Sequence, residues 1–310
     1  MKRFLRPSGR WTDILPIAIF ASLVFLFIGS MLGALILNPP EVTGLVYKLC
    51  GDDDVAAFMM QYLDFVGIWV AMFLYILFSK ANRPMIKALG YDRKGNTPKG
   101  FLLGLLFGFG CNGICVLLSW IMGDIKLSFV GFDPKLLLLF FIAITIQSGA
   151  EEITDRLYLY QKLRRRYKSP LIAIITNSAV FMALHVFNPG FTAIAGVQIF
   201  IIGVIFSMLV YYYNSLWCAI AFHMAWNFTQ NIIFGLPNSG IVSAYSIFKL
   251  EAASARNGLF YNVNFGVEGS VGASVILLIF GAVLYMKSRD RGECCDLWED
   301  ASPQETPKAL

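Results

Sequence analysis

Residues 136–160 read LLLLFFIAITIQSGAEEITDRLYLY. The stretch is long and apolar enough to cross a bilayer, which takes roughly 20 residues. Yet it carries Glu151, Glu152, Asp155 and Arg156. An ionised group in hydrocarbon costs about 2.5–3.5 kcal/mol even on a lenient scale, so such residues pair with one another or serve chemistry. The stretch therefore predicts a membrane helix with a polar site built into it.

The rest of the chain fits that reading. Its 310 residues are 57% hydrophobic and 15% charged, and the mean hydropathy is +0.64. Apolar runs of spanning length cover Ile14–Leu37, Met59–Phe78, Phe101–Met122, Leu136–Tyr160, Pro170–Phe187, Thr192–Tyr213, Ser215–Phe234 and Val271–Met286. Backbone groups in lipid must be satisfied within each segment, so these runs predict an all-α, polytopic transmembrane bundle of about eight spans. The first run is too long for a signal-peptide core and reads as a retained anchor. Lysine and arginine set the orientation. With the N-terminus in the cytosol, 19 of the 25 fall in segments 2–10, 80–99, 162–168 and 287–308. Both termini are then cytosolic, and the net charge of +5 reports topology rather than nucleic-acid binding. The expected layout is a cytosolic N-terminus (1–13), a membrane domain (14–287, motif core 136–234) and a disordered cytosolic tail (288–310). The basic run Arg164–Arg166 is expected at anionic headgroups of a cell membrane. The segment 235–270, on the non-cytosolic side, reads as either a lid or a plain loop. Six cysteines at these spacings make no disulfide framework.

Spacing gives the site its shape. Glu152 and Arg156 are i,i+4 with the acid first, the favourable order for a helical ion pair. Glu151 and Asp155 form a second row about 100° around the helix, free to face a cavity. The two histidines of the chain lie in other apolar runs, in Phe181-Met-Ala-Leu-His185 and His223-Met-Ala-Trp-Asn227. Buried polar groups must find partners, and these groups are one another's nearest candidates. Four charged residues with a net of two negatives require either a protonated carboxyl or a positive histidine. Phe181 and Trp226 read as walls of a substrate pocket.

Glu151-Glu152-xxx-Arg156, Phe181-xxx-His185 and His223-xxx-Asn227, in this order on successive helices, resemble the CPBP family. Its members are intramembrane glutamic endopeptidases that include CAAX proteases and bacteriocin-processing enzymes. The resemblance implies a peptide or protein substrate at the membrane and no cofactor. It casts Glu151 as general base and His185 as the holder of the attacking water. His223 and Asn227 would stabilise the oxyanion, and Glu152 with Arg156 would form the supporting ion pair. Two histidines and two glutamates also permit a zinc protease, though no His-Glu-xx-His motif is present. Intramembrane acids and histidines occur as well in proton-coupled transporters. An immunity-type membrane protein that keeps the fold without catalysis is a further alternative.

Overall fold

The computed structural model describes residues 4–298. Expectations for residues 1–3 and for most of the tail, 299–310, lie outside the described residues. The chain is largely helical: α1 (Leu15–Leu37), α2 (Pro40–Cys50), α3 (Asp53–Leu63), α4 (Val66–Phe78), α5 (Ile86–Leu89), α6 (Pro98–Ile121), α7 (Pro134–Glu152), α8 (Tyr160–Arg166), α9 (Pro170–Leu184), α10 (Ala193–Tyr213), α11 (Leu216–Phe228) and α12 (Val271–Ser288). Many starts follow from local chemistry. Asp133 caps α7 by accepting from the backbone N–H groups of Lys135 and Leu136 at 2.8 and 3.1 Å, with Pro134 in the first turn. Such caps satisfy donors that the helix itself leaves unpaired.

Among the described residues, six helical units are long and apolar enough to cross a membrane: Leu15–Leu37, Asp53–Phe78, Pro98–Ile121, Pro134–Arg166, Ala193–Tyr213 and Val271–Arg291. The molecule thus has the character of a multi-pass integral membrane protein. Two expected spans are shorter. The fifth stops at Leu184, three residues before its expected end, giving 15 residues or roughly 22 Å. The seventh is α11 followed by a π-helical turn, Thr229–Ile233. Both short helices carry a histidine. An all-α fold also needs one correction. Strands β1 (Leu127–Phe129) and β2 (Phe248–Leu250) pair antiparallel, with Ser128 opposite Lys249. This small sheet joins two connecting segments, where the backbone still needs partners.

Glycines let the central helices approach closely. Gly104-xxx-Gly108 on α6 faces the carbonyls of Cys218 and Phe222 on α11, and a Cβ at either glycine would overlap them. Gly29-xxx-Gly33 on α1 meets Gly67 and Ile68 on α4 in the same manner. Small residues at such crossings are how helices pack in lipid. The α6–α11 contact fixes the back of the helix that bears His223 and Asn227.

One end of the bundle gathers both terminal segments around α8. Arg165 grips both oxygens of Asp13 at 2.6 and 2.5 Å, and Lys162 reaches Asp13 at 2.8 Å. Burial pushes the Asp13 carboxyl up, but hydrogen bonds from Arg165 and Lys162 outweigh it and hold it below the usual carboxylate range. Arg164 binds Glu293, and Arg6 binds Asp296. Trp298 stacks on Arg165 and donates to the Gln161 carbonyl at 2.9 Å. Arg164 and Arg165 are turned inward, each 2% exposed, and Glu293 and Trp298 pack against them.

Candidate active site

The last two turns of α7 present Gln147, Ser148, Glu151 and Glu152. Beyond Glu152 the helix widens into a π-helical stretch, Ile153–Leu159, before resuming as α8. Such turns often sit at functional sites. The wider turn shifts the angular register, so Asp155 does not share the cavity face with Glu151. It is buried instead, 3.7 Å from Arg156. The expected second row is thus reduced to Glu151 alone.

Glu152 is fully buried. Its Oε1 accepts from Arg156 Nη1 and from His223 Nδ1, each at 3.0 Å. The expected ion pair is present, with His223 as a third member that spacing did not indicate. Arg156 is held further by the Gly203 carbonyl at 3.1 Å. Its guanidinium lies 4.8 Å from the Phe181 ring and 5.2 Å from that of Phe206, positions that favour a cation. Glu151 faces the other way. Its Oε1 accepts from Gln147 Nε2 at 2.6 Å. Its Oε2 has no hydrogen-bond partner among the described residues and lies 3.6 Å from His223 Nε2.

His185 ends α9 as its C-cap, ahead of the turn at Asn188-Pro189-Gly190. Gly190, at φ 76°, packs against Asn264, which leaves no room for a side chain. His185 Nδ1 is 2.8 Å from the Phe181 carbonyl. A carbonyl only accepts, so Nδ1 carries a proton. No hydrogen bond joins His185 to Glu151. His223 stands between two carboxylates, with Nδ1 3.0 Å from Glu152 Oε1 and Nε2 3.6 Å from Glu151 Oε2.

Asn227 donates to Gln147 Oε1 and Ser148 Oγ at 3.4 and 3.3 Å, near the long limit for such bonds. Its carbonyl accepts from Asn238 Nδ2 at 3.2 Å. Asn238 belongs to the 235–270 segment, which is a packed wall rather than an open lid. Leu236, Phe265 and Val267 are fully buried there. Gln230 and Asn231, in the π turn after α11, bind its carbonyls at Pro237, Leu236 and Ile241. Glu268 ties the wall to α11. It accepts from Trp226 Nε1 at 2.9 Å, Asn238 Nδ2 at 3.3 Å, and the Ser239 N–H and hydroxyl at 2.6 and 2.9 Å. Burial pushes Glu268 above the usual carboxylate range, against these donors, which favour its charged form.

A cavity of about 390 Å³ is bordered by Glu151, His185, His223 and Asn227 together, and by Phe181 and Trp226. That size suits a segment of peptide or a small ligand. Glu152 and Arg156 lie behind the wall. Among the described residues, no group of three or more His, Cys, Asp and Glu side chains is arranged to hold a metal ion. Sequence reasoning missed Gln147, Asn238, Ser239 and Glu268. Gln147 stands i,i+4 from Glu151 and was open to discovery on that spacing. The other three come from the 235–270 segment and carry no local signal.

Residues 133–229, from the cap of α7 to the turn after α11, match the family model described as Type II CAAX prenyl endopeptidase Rce1-like. The chain thus contains an Rce1-like domain, of the CPBP/CAAX protease family. No curated protein and no solved structure matches the chain.

Proposed function

With an Rce1-like domain as premise, we propose that this chain is an intramembrane endopeptidase that cleaves a membrane-associated peptide or protein by glutamate-activated water. The observation that carries the proposal is Glu151, which borders the cavity shared by His185, His223 and Asn227 and whose Oε2 has no hydrogen-bond partner among the described residues. Glu151 takes the proton of the attacking water. His185 accepts from that water through Nε2 and orients it. His223, as an imidazolium backed by Glu152, donates from Nε2 to the developing oxyanion. Asn227 Nδ2, bound only by long hydrogen bonds, adds a second donor. Glu152 and Arg156 hold His223 in place and neutralise the buried charge. The mechanism as proposed needs neither a serine or cysteine nucleophile nor a metal.

The test is a comparison of membrane peptides in cells carrying the wild type and Glu151→Ala. Uncleaved precursors should accumulate with the variant, and their fragments should be lost. Identical peptide inventories, with both proteins present in equal amounts, would contradict the proposal.

A further inference from the structure

Gln198 is an exception within α10. The helix is otherwise almost wholly apolar, and Gln198 is 1% exposed. Neither its Oε1 nor its Nε2 has a hydrogen-bond partner among the described residues. It lines the same cavity as Glu151 and His185. A buried amide without partners lowers stability, and leucine at this position would avoid the cost. An amide kept under such a cost is suited to a partner that arrives from outside.

The chemistry of that partner can be read from the amide. It offers one donor face and one acceptor side by side. An alkyl chain has nothing to give either. A single residue of an extended peptide presents its own N–H and C=O to the same side, as in hydrogen-bonded pairs of antiparallel strands. The primary amide of Gln198 matches that pair.

We infer that Gln198 is a main-chain clamp. It exchanges two hydrogen bonds with the backbone N–H and C=O of one substrate residue. This rests on the peptidase reading above. It assigns Gln198 to substrate positioning, independent of the substrate's side chains. A contact made equally in the ground state and the transition state acts on KM rather than on kcat.

The experiment uses the full chain in detergent micelles and a randomised decapeptide library, N-acylated so that it partitions into the micelle. Cleavage is read by mass spectrometry for the wild type, Glu151→Gln and Gln198→Leu. A cleaved member is then resynthesised with each backbone N–H in turn replaced by an ester oxygen. The expected result is a loss of about 10- to 100-fold in kcat/KM for Gln198→Leu on the parent peptide, carried by KM. Ester replacement at one position should cost the wild type a similar factor and cost Gln198→Leu nothing more. The melting temperature of Gln198→Leu should equal or exceed that of the wild type. Undiminished cleavage by Gln198→Leu, full ester sensitivity retained in that variant, or a clear fall in its melting temperature would each overturn the clamp. These results leave the peptidase reading standing. Failure of the wild type to cleave any member, or cleavage undiminished in Glu151→Gln, would instead overturn the parent reading and the clamp with it.

Discussion

Two clusters of buried charge sit on one continuous helical unit, Pro134–Arg166, and they differ in how fully their atoms are used. In the terminal clasp, Arg165 spends its guanidinium on both Asp13 oxygens, the Ala81 carbonyl and Asn82, and Lys162 binds Asp13 and Thr12. In the central cluster, Glu151 Oε2, Glu152 Oε2 and Arg156 Nε have no partner among the described residues. The cavity described above borders the second. Burial of charge is common to both, so burial alone does not mark a site. Incomplete hydrogen bonding beside a cavity does, because a saturated cluster has no atom to offer a substrate.

The contrast can be broken in order of expected effect. Asp13→Ala leaves Lys162 and Arg165 buried without a counter-charge. It should cost about 3–5 kcal/mol of stability, read as a lower melting temperature in detergent. A variant that melts like the wild type would show that the clasp does not hold the fold. Asn227→Ala acts at the other cluster. It should lower turnover by about 10²–10³-fold with melting unchanged. A large loss of stability with intact turnover per folded molecule would place Asn227 among the structural groups.

Glu268→Gln tests the wall between these extremes. Glu268 is saturated like the clasp yet borders the cavity. The substitution forces an amide donor towards Ser239 or Trp226 and should cost about 1.5–3 kcal/mol of stability. Loss of activity with no change in melting would instead give Glu268 a direct role. The smallest effect is with acid. The Asp13 pKa is lowered on folding, so its contribution is complete above the ordinary value of 3.8 and is lost as pH falls below it. Stability of the wild type should therefore drop below about pH 4 more steeply than that of Asp13→Asn. Parallel curves would contradict the assignment.

Much of the central cluster was legible because its logic is local. The i,i+4 spacing of Glu152 and Arg156 survives into the structure, and the short helices deliver His185, His223 and Asn227 to one cavity. Helix packing is also written locally, in Gly29-xxx-Gly33 and Gly104-xxx-Gly108, on helices that bear no chemical motif. What spacing could not show was closure over long distance. Asp13, Glu293 and Trp298 cover the basic run from more than a hundred residues away. Asn238 and Glu268 reach Asn227 and Trp226 only once the 235–270 segment has folded down. The π turns after Glu152 and Phe228 leave no periodic trace, and the first of them moved Asp155 off the face predicted for it.

The central claim is that Glu151 serves as a base within a fold that does not depend on it. The direct measurement is peptide cleavage by purified Glu151→Gln alongside its melting temperature. Glutamine keeps the shape and the contact with Gln147 but cannot accept the water's proton. Cleavage should fall by about 10²–10⁴-fold while melting stays at the wild-type value. Cleavage at the wild-type rate by Glu151→Gln would contradict the account.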